Sequence, residues 1–359
     1  NKTTGQKKGN RINVNEFLSF SEERRRTICE QAQDKLGLPP ATVEKDFWVC
    51  WTLKKLFDLP EWGAHLTFKG GTSLSKGWAL IERFSEDIDI VINRDALGFG
   101  GDKAPDRAPS RKQTRKRLDA LKAASQNCVN GTLLALLRKA ISKKMPAELS
   151  WQLDPDPDDP DKQTLLFSYP TAFSDQTAYL RQVVKIELGA RSDTEPALDV
   201  DIHPYLGDAF PNLLTQTKFS VRTVSPERTF WEKAMLLHEE TFRPLEKKRQ
   251  ARMARHYYDL YRLIDAGIGR KASRDLELFE RIVAHRQVYF RYMWVDYATL
   301  CPGRLRLVPP DDQIANWKSD YTAMKDEMFF GEPPAFDDLI QTALRFQDEF
   351  NGKAEAEST

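Results

Sequence analysis

The chain has 359 residues, 40% of them hydrophobic and 30% charged, with a formal net charge of +1. This is enough apolar material for a buried core, and the length predicts two domains. The charge balance excludes a uniformly basic nucleic-acid binder, and no run of about 18 apolar residues is present to cross a membrane.

The opening "NKTTGQKKGNRINVNEF" is polar and lacks the apolar middle of a signal peptide. Residues 1–12 are expected to form a disordered lead-in. The cysteines, Cys29, Cys50, Cys128 and Cys301, are widely spaced and form no CxxC pair. They fit reduced thiols in a cytoplasmic protein. "NEFLSFSEERRRTICEQAQDKLG" predicts a helix ending near Gly37, and "PPATVEKDFWVCWTLKKLFDL" a second, with its prolines at the start. "HLTF" predicts a short strand, Gly70-Gly71 a turn, and "TSLSKGWALIERF" a helix of about three turns. "DIDIVI" predicts a strand with Ile88, Ile90 and Ile92 on one face and Asp87 and Asp89 on the other.

"RDALGFGGDKAPDRAP" is a Gly/Pro-rich loop, followed by a basic helix over roughly 110–143. "DPDPDDPD", Asp154 to Asp161, has no glycine or closing glutamate of a calcium loop and is expected to be a solvated connector. "TLLFSYP", "RQVVKIELG", "ALDVDIHP" and "KFSVRTV" predict strands. From Ser225, a good N-cap followed by Pro226, the pattern turns helical. Helices are expected over "ERTFWEKAMLLHEE", "ARHYYDLYRLID", "LFERIVAHRQVYFRYMW", and near 318–329 and 334–350. The fold class is therefore mixed α/β (α+β). Residues 13–220 form a sheet domain with N-terminal helices, and 221–359 a helical domain.

The chemistry concentrates in residues 65–92. Gly70-Gly71 permits close backbone approach, and Thr72, Ser73 and Lys76 follow at a helix start, where free amides and the helix dipole favour an anion. Asp87 and Asp89 lie side by side on one strand face, roughly 6–7 Å apart. Hard cations such as Mg²⁺ take one or two carboxylates plus phosphate oxygens. Two such ions can clamp a phosphoryl displacement. An anion-binding turn, a short helix and a strand opening on two acids is the order a nucleotidyltransferase needs. Lys185 and Glu187 share one face of "VVKIEL". Glu187 is either a third carboxylate beside the metals or half of a strand-surface ion pair, and Asp199 and Asp201 are its rivals. Lys233 lies at the edge of the stripe of Phe230, Ala234 and Leu237, placed to enter a cleft or to snorkel. Tyr257, Leu260, Tyr261 and Ile264 form a stripe that turns Asp259 to solvent, with Arg255 four residues away as its partner. The histidines show no ligand spacing, which argues against zinc. "RAPSRKQTRKR" (107–117) and "KKRQARMAR" (247–255) are basic runs that either track phosphates or are solvated faces.

"EKDFWVCWTLKKL" and "LTFKGGTSLSKGWALIERFSEDIDIVI" together resemble the AbiEii family of nucleotidyltransferase toxins, with its DNA polymerase β-like nucleotidyltransferase core. "VVKIELGARS", "SPERTFWEKAMLL" and "RHYYDLYRL" follow in the order of the family's later motifs, and "DYTAMKDEMFFGEPPAFDDLI" resembles its usual ending. The resemblance implies metal-dependent transfer of a nucleotide from an NTP, with one or two Mg²⁺ ions, to RNA. The acceptor end of tRNA is the expected target, and translation stops. It implies a type IV toxin–antitoxin system whose antitoxin, encoded nearby, does not form a stable direct complex with the toxin. Ser85, Asp87 and Asp89 match the serine and paired acids of the first motif, and Gly71 and Ser73 the phosphate-binding turn. Lys233 matches the third-motif lysine and Asp259 the fourth-motif acid. The alternatives are a nucleotide-binding regulatory module without transfer and a nucleotidyltransferase that modifies a protein.

Overall fold

The computed structural model describes residues 12–13, 17–173, 182–211, 214–215, 217–329 and 331–357. The lead-in expected over 1–12 lies outside them except for Ile12, which opens β1 (Ile12–Asn13) and pairs with Leu214. α1 (Glu22–Leu36) begins later than the sequence pattern predicts, because the Ser21 hydroxyl accepts the Arg24 N–H and caps it there. α2 (Pro40–Phe57) is buried almost all round, as a helix between sheet and neighbours must be. Its Trp48 stacks on Tyr169 and its Trp51 on Phe167.

β2 (Leu66–Lys69) leads into a helical turn, Gly70–Thr72, and a wider turn, Ser73–Gly77, before β3 (Ile88–Ile92). α3 (Arg111–Asn127) and α4 (Leu134–Ser142) flank a wide turn at Cys128–Leu133, so the expected basic helix is continuous but not uniform. β4 (Gln152–Pro155) and β5 (Thr164–Ser168) form an antiparallel hairpin. Asp154 and Pro155 thus belong to a strand, and only Asp156 onward forms the exposed tip. β6 (Val183–Gly189), β7 (Ala197–Ile202), α5 (Tyr205–Ala209), β8 (Leu214–Thr215) and β9 (Phe219–Val224) follow. Among the described residues the large sheet has seven strands in the order β4-β5-β6-β3-β2-β9-β7. β3 is central, antiparallel to β2 and parallel to β6. The chain is a mixed α/β protein, and its sheet continues to Val224, past the boundary expected at residue 220.

Ser225 caps α6 (Pro226–Thr241) by accepting the Arg228 N–H. α7 (Arg255–Asp265), α8 (Ile268–Ala272), α9 (Leu276–Tyr289), α10 (Asp311–Met328) and α11 (Phe336–Glu357) complete the helical part. α9 stops at Tyr289, so "FRYMW" is not helical as the pattern predicts. Two apolar cores result. One joins α1, α2, α4 and the sheet, and the other joins α6, α7, α9 and α11 with Leu74 and Ile81 from the loop after β2. Cys29, Cys50 and Cys128 are buried free thiols in the first, and Cys301 is half-buried and free. No described helix is long and apolar enough to cross a membrane.

The turn after β2 is bolted to α2 from behind. Lys76 Nζ lies 2.7 Å from Asp46 Oδ1 and 3.6 Å from the centre of the Tyr205 ring. The second Asp46 oxygen accepts the Tyr205 N–H at 2.6 Å. Removing one member of a buried ion pair strands the other charge. Asp46→Ala is therefore expected to destabilise the fold by roughly 3–5 kcal/mol in urea unfolding. A loss under about 1 kcal/mol, the size of an exposed pair, would contradict this placement of Lys76.

Candidate active site

The strand register assembles the acidic side of the site. Asp89 on β3 stands opposite Lys69 on β2 and opposite Glu187 on β6. Side chains alternate, so the buried Ile88, Ile90 and Ile92 face the core and Asp89 faces the other way. The turn that follows Lys69 must pass against this carboxylate. Gly70 has φ +79°, and a Cβ there would lie 1.9 Å from Asp89 Oδ2. A Cβ on Gly71 would lie 2.5 Å from Arg83 Nη2 and 2.8 Å from Ser85 Oγ. The paired glycine is thus required by side chains that crowd the turn from β3 and from the segment before it.

That segment does not continue the expected three-turn helix. Beyond Gly77 the chain follows an irregular path to Asp87, bending at Trp78 and Ala79, captured by tertiary contacts that outweigh its helical pattern. The Trp78 indole N–H donates to the Val224 carbonyl, Leu74 and Ile81 enter the helical core, and the Phe84 N–H donates to the Met328 carbonyl. Thr72 Oγ1 donates to the Asp87 carbonyl at 2.5 Å and lies 2.9 Å from Ser85 Oγ, closing the loop on itself.

Arg83, in the middle of this loop, reaches Asp259 on α7 through two bonds of 2.7 and 2.8 Å. Lys233 on α6 lies 2.8 Å from the same carboxylate. Asp259 is fully buried, so the solvated placement predicted from the stripe on α7 is wrong. The helix is buried on more than one side, with Tyr257, Tyr258, Leu260 and Leu263 all inside. Its expected partner Arg255 is not bonded to it; Arg83 and Lys233 are. Burial opposes ionisation of Asp259, but these two cations hold it below the usual carboxylate range. Burial, with Arg83 and Arg255 nearby, pulls the Lys233 ammonium below its ordinary value despite Asp259.

The two sides enclose a cavity of about 540 Å³, lined by Gly70, Gly71, Ser85, Asp87, Asp89 and Glu187 on the sheet side and by Lys233 and Arg255 on the helical side. Burial raises the Asp87 carboxyl, with Glu187 and Glu86 adding to it. Burial, Glu187 and Asp87 together push Asp89 up to about 7. Against burial, Lys69, Arg228 and Arg286 hold Glu232 down to about 2. His256 and His285 also line the cavity. Burial pulls both imidazoles down, His285 to about 4, and His256 Nδ1 and His285 Nε2 have no hydrogen-bond partner.

Among the described residues no three His, Cys, Asp or Glu side chains converge as a metal cluster. Asp87 and Asp89 nevertheless fit a hard divalent cation. Their donors are all oxygen, and burial together with neighbouring carboxylates raises both pKa values, a penalty that a cation would relieve. Glu187 shares the cavity but is paired with Lys185 at 2.5 Å, the ion-pair alternative of the sequence reading.

Several candidates sit elsewhere. Ser73 is buried and its hydroxyl donates to the Gly70 carbonyl at 2.8 Å, so it braces the turn rather than presenting itself to a ligand. Thr72 is likewise buried and committed. Lys76 is paired with Asp46 and does not line the cavity. Lys185 borders the neighbouring cavity on the β4–β5 side. Asp199 and Asp201 lie on β7, at the sheet edge opposite Arg222 and Ser220, away from the cavity. Sequence reasoning missed Lys69 and Arg83. Lys69, directly before the paired glycine at the strand end, carried a readable signal; Arg83, read as a helix residue, did not.

The family model for the nucleotidyl transferase AbiEii toxin of type IV toxin–antitoxin systems matches residues 51–342. The chain belongs to this family and is a nucleotidyltransferase. No curated protein matches it. Among solved structures it is similar to MenT4, a nucleotidyltransferase toxin from Mycobacterium tuberculosis H37Rv. The identity is 15%, with 90% of this chain and 92% of that one covered, and the TM-score is 0.36.

The electrostatics generate a prediction about stability. An acid whose folded pKa is raised, here from 3.8 to about 7, stabilises the fold fully only below its unfolded value. That contribution is lost as pH rises through 7. Asp89→Asn removes the penalty of burying the ionised form. In metal-free buffer the variant should melt above the wild type at pH 8, with the gap shrinking toward pH 4. A gap that does not change with pH would contradict this reading of Asp89.

Proposed function

We propose that this AbiEii-family nucleotidyltransferase transfers a nucleotide from an NTP to RNA, at the acceptor end of tRNA, and so blocks translation in the cytoplasm. One observation carries the reading: Asp87 and Asp89 line one cavity with the Gly70–Gly71 turn and with Lys233 and Arg255. Acids and phosphate-binding groups thus face each other across a space of ligand size.

Asp87 and Asp89 would hold one or two Mg²⁺ ions, which when bound supply charge neutralisation for the triphosphate and its leaving group. Glu187 joins them if Lys185 releases it. The backbone of Gly70–Gly71 approaches the phosphates closely because no side chain intervenes, and Ser85 Oγ borders the same turn. Lys233 and Arg255 hold phosphate oxygens and the charge that develops as the acceptor hydroxyl attacks the α-phosphorus and pyrophosphate leaves. Asp259 is a positioning residue in this scheme. It touches Lys233 and Arg83, not the cavity, and fixes both cations. Activity is restrained by an antitoxin that forms no stable complex with the chain.

Asp87→Ala and Asp89→Ala are each expected to leave the circular dichroism spectrum unchanged and to lower transfer of labelled nucleotide to total RNA by about a thousandfold. That corresponds to several kcal/mol of lost transition-state stabilisation. Wild-type transfer that survives removal of all divalent cations would overturn the metal assignment. Label appearing on protein instead of RNA would favour the protein-modifying alternative.

A further inference from the structure

The chain just after α9 carries three aromatic residues at every second position, Phe290, Tyr292 and Trp294. They run outward from the site. Phe290 and Tyr292 line the active cavity, and Trp294 stacks on Tyr292 at 4.6 Å with 21° between the rings. Each end of the row is dressed with cations. Arg191 lies 4.8 Å from the Phe290 ring, and Lys247 lies 4.1 Å from the Trp294 ring. Met293, between the outer two rings, is 90% exposed, and Leu245, beside Lys247, is 70% exposed. Leu245 lines a groove together with Lys247, Lys248 and Arg249.

The opposite rim has the reverse charge. A neighbouring cavity of about 500 Å³ shares Lys69, Asp89, Glu187 and Phe290 with the first, and its outer wall is the acidic hairpin tip of Asp156, Asp158, Asp159 and Asp161. A polyanion is repelled from that side and attracted to the other. Of the two basic runs, only 247–255 reaches the cavity, through Gln250, Arg252 and Arg255. The run at 107–117 lies outside it.

We propose that Phe290, Tyr292 and Trp294, with Lys247, Lys248 and Arg255 of the basic run 247–255, form the landing platform for an unpaired RNA end, guiding its terminal hydroxyl into the cavity. Aromatic rings stack on any base, and interleaved Lys and Arg track the phosphates, which together suit single strands rather than duplex. This rests on the nucleotidyltransferase reading of the cavity and adds where the acceptor enters.

The test measures binding without transfer. A fluorescent single-stranded oligoribonucleotide and a blunt RNA duplex of the same sequence are titrated against the full chain, with no triphosphate present. The single strand should bind more tightly. Trp294→Ala should weaken that binding by about tenfold, the loss expected for one stacked base. Lys247→Glu, on an exposed side chain that no core depends on, should weaken it as well and flatten its salt dependence. Triphosphate affinity should stay at the wild-type value in both variants. Binding of the oligoribonucleotide by Lys247→Glu at wild-type strength, or a preference for the duplex, would overturn the platform. Wild-type protein that binds the single strand but labels no RNA would leave the platform standing and remove the acceptor assignment of the preceding section.

Discussion

One buried carboxylate holds the two halves of the site in place. Asp259, on α7, neutralises Arg83 from the loop before β3 and Lys233 from α6. Without it, two cations would face each other in a water-poor space, a cost far larger than any surface pair repays. With it, the loop that carries Ser85 and Asp87 is tied to the helical core, and Lys233 is aimed at the cavity it lines. The non-helical path of residues 78–87 is anchored by this tie. A helix there would carry Arg83 away from Asp259 and Asp87 away from Asp89.

The cavity is held together at an electrostatic cost. Burial, and then repulsion from Glu187 and Asp87, raise the Asp89 pKa. Nearby, Glu232 is surrounded by Lys69, Arg228 and Arg286 and stays ionised. The same buried region thus has one carboxylate driven toward protonation and another driven away from it. The difference lies in which charges are close, since both are partly buried and line the same cavity. Local instability of this kind is common where a bound ligand completes the charge balance.

From the sequence, the Gly70-Gly71 turn, the Asp87/Asp89 pair and the Ser225 cap were legible, because each depends on local rules of turn, alternation or capping. The side chains beyond the turn were not. Ser73 and Thr72 turn inward, and Lys76 finds Asp46, a partner 30 positions earlier in the chain. Asp259 is not legible because the apolar stripe of α7 marks only one buried face, whereas both the loop before β3 and α6 pack against its other side. The end of α9 at Tyr289 is hidden for a related reason: aromatic residues at 290, 292 and 294 carry apolar weight that suits a helix, yet they alternate along an open segment.

The central claim is that the acids of β3 and the cations of the helical part close on one triphosphate. A crystal structure of the chain with a non-hydrolysable NTP and Mg²⁺ tests it most directly. The account predicts phosphate oxygens against the Gly70–Gly71 backbone and the Lys233 ammonium, with metal on Asp87 and Asp89. A nucleotide seated instead in the large groove between α7 and α11, lined by Arg270, Arg274 and Arg345, with Asp87 and Asp89 free of metal, would contradict it.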